Sequence, residues 1–78
     1  MKTKVLSYRA IIEKDGKEFH GFLPALPGVH TYGKTIEETR DNLREAVESQ
    51  LLVMRDEDLD IPTEKGLEFI ETFQLNYV

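Results

Sequence analysis

The twenty residues from Phe19 to Glu38, FHGFLPALPGVHTYGKTIEE, constrain this chain more than any other stretch. Pro24 removes a backbone donor, so strand pairing should end or move to an edge there. Ala25-Leu26-Pro27-Gly28 reads as a turn, with Pro27-Gly28 suited to the centre of a type II geometry. Val29 to Tyr32 is long enough for a short third strand, and Gly33-Lys34 turns the chain once more. Thr35 is then a good N-cap, and Glu38 three residues later completes a capping box. The stretch is therefore a strand end, a joint, an edge strand and a helix start.

Upstream, residues 4–14 (KVLSYRAIIEK) are rich in β-branched and aromatic types and stop at Asp15-Gly16, a strong hairpin signal. A loop centred there sets Ile12 opposite Phe19, Ala10 opposite Gly21 and Tyr8 opposite Leu23 on one apolar face. The other, mixed face pairs Ile11 with His20 and Arg9 with Phe22. One apolar and one mixed face predict a sheet covered on one side.

Downstream, Ile36, Leu43, Ala46, Val47, Leu51 and Met54 recur at helical spacing, with Thr39 and Gln50 completing the stripe and charges opposite. This predicts an amphipathic helix of about five turns, ~30 Å long. Acidic residues 56–60 oppose the helix dipole, and Ile61-Pro62 makes continuation unfavourable. Leu67 to Val78 reads as a last strand with Leu67, Phe69, Phe73, Leu75 and Tyr77 on one face, interrupted by Glu71. The expected fold is α+β, in the order β-β-β-α-β: a four-stranded, mostly antiparallel sheet with one helix on one face, in a single domain of residues 1–78. One helix leaves the other sheet face uncovered, and an uncovered, partly apolar face suits a partner. Val5, Arg9, Ile11, His20 and Phe22 are its candidate contacts. Pro24, Pro27, Gly28, Gly33, Thr35 and Glu38 are structural positions.

With 78 residues, one modest core is the limit. Such a chain buries only about 60% of its unfolded surface, so self-association would help it. No cysteine is present, which excludes disulfides and thiolate metal sites. The start lacks a signal peptide's apolar core, and no apolar run approaches the ~20 residues of a membrane span. A cytoplasmic location is expected. A net charge of −5 disfavours broad contact with a nucleic-acid backbone and suits a basic protein partner.

Enzymatic chemistry finds little support. A two-metal nuclease needs converging carboxylates, one of them central on the first strand. That strand carries Ser7-Tyr8-Arg9-Ala10-Ile11, and Glu71 alone does not make a site. Asp56, Asp58 and Asp60 have the opening spacing of a calcium loop, but Ile61 stands where its glycine belongs and Leu67 where its glutamate belongs. They read as a solvated acidic linker. His20 and His30 have no acid, Ser motif or Cys at an activating spacing and read as surface or interface histidines. Gly33-Lys34-Thr35 superficially looks like the end of a phosphate loop, but capping by Thr35 is the far stronger reading. No catalytic residue, metal or cofactor is assigned.

From Tyr8 to Pro62 the chain resembles the HicB-like family, antitoxin halves of toxin–antitoxin pairs. The resemblance rests on Phe19, Gly21 and Phe22, on Leu23-Pro24-Ala25-Leu26-Pro27-Gly28, and on Thr31-Tyr32-Gly33-Lys34-Thr35-Ile36-Glu37-Glu38. Asn42-Leu43, Glu45-Ala46 and Ile61-Pro62 extend it. Val29 departs from a frequent Cys, and Thr39 from a usual Ala. The resemblance implies a partial RNase H-like fold that occludes a small basic, mRNA-cleaving toxin of the HicA type; self-association as a homo-oligomer, through sheet edges or the open face, is expected beside it. Many members add a DNA-binding domain; this chain is expected to be the short form without one. The alternatives are a residual RNase H-like nuclease or RNA-binding domain, and an orphan homo-oligomer without a toxin.

Overall fold

The computed structural model describes residues 3–64, 66 and 69–76. Three strands and one helix follow in order: β1 (Ile11–Asp15), β2 (Glu18–Leu23), β3 (Leu26–Gly33) and α1 (Ile36–Asp56). The strands form an antiparallel sheet in the order β1-β2-β3. The α+β class and the helix on one face are as expected. The expected fourth strand is not seen among the described residues, of which 69–76 have no regular secondary structure. Leu67 and Tyr77, two of its five expected face residues, lie outside the described residues.

The first hairpin forms where the sequence puts it, in a different register. Asp15 pairs with Glu18, so the loop is Gly16-Lys17, and Ile12 faces Gly21 and Ile11 faces Phe22. The expected pairs Ile12–Phe19, Ala10–Gly21 and Ile11–His20 are each displaced by two residues. An Asp15-Gly16 loop of either primed type would need positive φ at Asp15, whereas a Gly16-Lys17 loop with glycine first needs it only at Gly16, which has φ +64°, and this moves the loop one residue along. Because side chains alternate with period two, this shift leaves every residue on its expected face. β1 is also shorter than expected, since residues 3–10 form no strand.

The proline joint differs as well. The chain turns at Pro24-Ala25, and Pro27-Gly28 lies within β3. Phe22 pairs with His30 but Leu23 with Leu26, so Pro27, Gly28 and Val29 form a bulge. Pro27 has no N–H for the ladder, and proline in a sheet belongs at an edge or bulge. The bulge turns Val29 inward, where it joins Leu23, Leu26 and Leu43 in the core.

The helix packs on β3 and β2 through a buried Thr39 and Leu43, with Ala46, Val47, Leu51 and Met54 partly buried against the core. Ile36 is half exposed and Gln50 exposed, so the apolar stripe is narrower at both places than its spacing suggests. Thr35 caps the N-terminus, its Oγ1 accepting the Glu38 N–H at 3.0 Å. The return bond of Glu38 goes to the Lys34 N–H (3.3 Å), one residue before the cap. At the other end Leu59 N–H donates to Met54 O (2.8 Å) and Asp58 N–H to Arg55 O (3.1 Å), with Asp58 at φ 53°. This is a Schellman termination with Asp in the left-handed position usually held by Gly.

Candidate functional site

Alternation along β2 and β3 sends Phe19, Gly21 and Leu23 toward the helix and His20 and Phe22 away from it. The observed register then sets His20 against Tyr32 and Phe22 against His30 on the face opposite the helix. The four rings form a cluster around His20, which lies 5.1 Å from Phe22, 5.1 Å from His30 and 4.9 Å from Tyr32, centroid to centroid. Interplanar angles of 22° to Phe22 and 24° to Tyr32 make those two contacts offset stacks, a favourable aromatic arrangement, whereas His30, at 7°, lies nearly coplanar with His20 and meets it edge to edge. Ile11, the cross-strand partner of Phe22, extends the row toward β1.

Hydrogen bonds lock the two imidazoles together. His30 Nε2 lies 2.9 Å from the Pro27 carbonyl oxygen, which only accepts, so a neutral His30 carries its proton there. Its Nδ1 then accepts from His20 Nε2–H at 2.9 Å. The remaining nitrogen, His20 Nδ1, faces the Glu13 carboxylate at 3.7 Å. The bulge has a role here, because it brings the Pro27 carbonyl under His30. Tyr32 is half exposed and His30 exposed, so the cluster is a shallow surface. It offers aromatic surface and, at one side, His20 Nδ1 beside the Glu13 carboxylate.

Of the expected contact residues, Ile11, His20 and Phe22 share this face. Arg9 does not join them. Its backbone N–H donates to Glu64 Oε2 (3.0 Å) and its Nε to Glu64 Oε1 (2.9 Å), fastening the N-terminal segment to the chain beyond the helix. The Tyr8 hydroxyl donates to the Pro62 carbonyl beside it. Val5, 86% exposed, lies ahead of β1 outside the sheet. Pro24 sits in the turn, Pro27 and Gly28 in the bulge, and Thr35 and Glu38 at the cap. Gly33 faces Thr39 so closely that a Cβ would lie 2.6 Å from its Oγ1.

Sequence reasoning missed Tyr32 and Glu13 and treated His30 apart from His20. Parity along two paired strands would have joined them, had the length of the Pro27–Val29 bulge been legible. Among the described residues no group of three or more His, Asp or Glu is placed to hold a metal ion. Asp56, first of the acidic triplet, is paired with Arg55 at 2.9 Å. No helix there is long and apolar enough to cross a membrane.

Residues 7–62 match the UPF0150-like family, a span that runs from the edge of Tyr8 through the sheet and helix to its hydrogen-bond partner Pro62. A UPF0150 protein of Thermotoga maritima is 41% identical over 73 residues, 91% of this chain and 96% of its own length. A UPF0150 protein of Synechocystis sp. is 35% identical over 63 residues, 78% of each chain. No solved structure matches. On the matched span and on these two relatives, the chain belongs to the UPF0150-like family.

Proposed function

We propose that this protein is a non-enzymatic binding domain of the HicB-like antitoxin type, which neutralises a small basic HicA-like, mRNA-cleaving toxin by covering it. The observation that carries the proposal is the aromatic row on the face without a helix. Ile11, His20, Phe22, His30 and Tyr32 present contiguous ring and aliphatic surface, held rigid by the imidazole pair and its anchor on Pro27. Preorganised aromatic residues are the usual anchors of protein interfaces, since ordering them costs little on binding. The net charge of −5 complements a basic partner and would speed encounter with it.

The test is co-expression with any small basic protein encoded beside this one. A stable complex and relief of growth arrest are expected, and Tyr32→Ala should weaken the complex by about 2 kcal/mol, roughly thirtyfold. Absence of complex and of relief would sink the antitoxin role. A second reading, single-stranded RNA stacked on the same rings, is favoured by ring exposure and opposed by the acidic charge. Fluorescence titration with a labelled RNA oligonucleotide separates the two.

A further inference from the structure

Two hydrogen-bond acceptors confront each other on the open face of the sheet. His30 Nδ1 takes the Nε2–H of His20, so neutral His20 presents a bare lone pair at its own Nδ1. That nitrogen faces the Glu13 carboxylate, 3.7 Å away. Among the described residues no donor is hydrogen-bonded to either acceptor. A lone pair set against a carboxylate is repulsive. The arrangement is completed by a cation that brings N–H groups to both.

The observed registers build a notch around this pair. His20 is the cross-strand partner of Glu13 on one side and of Tyr32 on the other, so the three form one row across the sheet. The His20 side chain, 17% exposed, is the floor; Glu13, 60% exposed, and the half-exposed Tyr32 are the walls. The flanking rows differ in character. Toward the start of β1 stand Ile11, Phe22 and His30, and toward the hairpin loop stand Asp15 and Glu18, directly opposed. Rows on one face of a sheet are about 7 Å apart, so the face grades from apolar to acidic over about 14 Å. Like charges directly opposed are unfavourable in a strand pair, and neither Asp15 nor Glu18 forms an ion pair among the described residues. Of the nearby cations, Lys14 lies on the helix side over Phe19, and Lys17 and Lys34 sit outside the strands.

We propose that this notch takes an arginine of the protein partner, its guanidinium donating to His20 Nδ1 and the Glu13 carboxylate and stacking against Tyr32. The proposal rests on the binding reading above and names the side chain that the face selects. Arginine suits the notch because its planar fork donates to two neighbouring acceptors at once while its face lies on an aromatic ring. Lysine brings a point charge without a face to stack. The graded rows set the flanks. In an extended partner segment, an apolar side chain two residues to one side covers Ile11 and Phe22, and a second cation two residues to the other relieves Asp15 and Glu18.

The peptide acetyl-GLSRSRG-amide carries that spacing and serves as the probe. Titrated into the intact, isotope-labelled protein at neutral pH, it should shift the amide signals of Glu13, His20 and Tyr32 with a dissociation constant on the order of 1 mM. Glu13→Gln and Tyr32→Leu should each weaken it about threefold to fivefold, and replacing both arginines of the peptide by lysine about threefold. Glu45→Gln removes the same charge from the exposed side of the helix and should leave binding unchanged. Glu18→Gln should weaken the peptide yet raise the Tm of the free protein by about 1–5 °C, because it separates the opposed pair. Failure to saturate by about 10 mM, equal losses from Glu45→Gln and Glu13→Gln, or equal affinity for the lysine peptide would overturn the proposal. A complex in the co-expression test without these peptide effects refutes the contact and leaves the binding reading standing. Peptide effects without a complex leave the contact standing and refute the antitoxin role.

Discussion

Thr39 is the most tightly held side chain in the protein, and a double-mutant cycle on it tests the packing argument directly. Its relative exposure is 0%, and it is wedged between two glycines of the sheet. A Cβ on Gly21 would stand 2.9 Å from Thr39 Cγ2, with Thr31 Oγ1 at 3.3 Å and Leu43 Cδ2 at 3.6 Å. A Cβ on Gly33 would meet Thr39 Oγ1 at 2.6 Å, but also its backbone N at 2.8 Å and Cα at 3.1 Å. Overpacking costs about 1–3 kcal/mol, and removing glycine's unfolded-state freedom returns about 0.4–1. Gly21→Ala should therefore destabilise by about 1–2 kcal/mol. Thr39→Ala loses a buried methyl and the bond from its hydroxyl to Thr35 O (2.7 Å), again about 1–2 kcal/mol. Together they should cost less than their sum by about 1 kcal/mol, because Thr39→Ala removes the atom that Gly21→Ala strikes. Gly33→Ala should cost about 3 kcal/mol in either background, since helix backbone cannot move aside. Urea unfolding followed by helix circular dichroism, at one fixed protomer concentration, measures all of these. If Gly21→Ala and Thr39→Ala add within about 0.3 kcal/mol, the wedge is not what positions the helix.

Three further outcomes follow from single bonds. Thr35→Ala should lower stability by about 1 kcal/mol, or about 4–8 °C in Tm, and Thr35→Asp should restore it. Tyr8→Phe removes the bond to the Pro62 carbonyl and should cost about 1 kcal/mol, read from urea unfolding. Burial, and secondarily the Glu64 carboxylate, raise the Tyr8 hydroxyl above its ordinary 10.0. The fold thus favours neutral Tyr8: its contribution is complete below pH 10 and is lost as pH rises past that toward the folded value. The parent protein should lose more stability than Tyr8→Phe over that alkaline range, and equal losses would refute the assignment. Pro27→Ala should leave the helix intact, and NMR of the imidazole nitrogens should still show His30 protonated on Nε2, since only the carbonyl of residue 27 is used.

What the sequence determined by itself was local. Gly16 in a hairpin, Thr35 as N-cap, the Leu43–Val47–Leu51 stripe and the stop before Pro62 depend on interactions within a few residues, and each forms where the pattern puts it. Which side chains face the helix was also legible, because a two-residue slip preserves the faces. For the same reason the register was not legible: patterning is blind to even shifts, and only the loop's positive φ at Gly16 selects one. Tertiary structure decided the rest. The bulge at Pro27–Val29 depends on packing Val29 into the core, and it alone sets His30 beside His20 and Tyr32 beside both. Arg9 was drawn off the open face by Glu64, fifty-five residues away, a pairing no local window contains. Residues 4–10 and 69–76 have the composition of strands without a ladder partner among the described residues. A strand's composition states what it can pair with, while pairing itself needs a neighbour at the right edge.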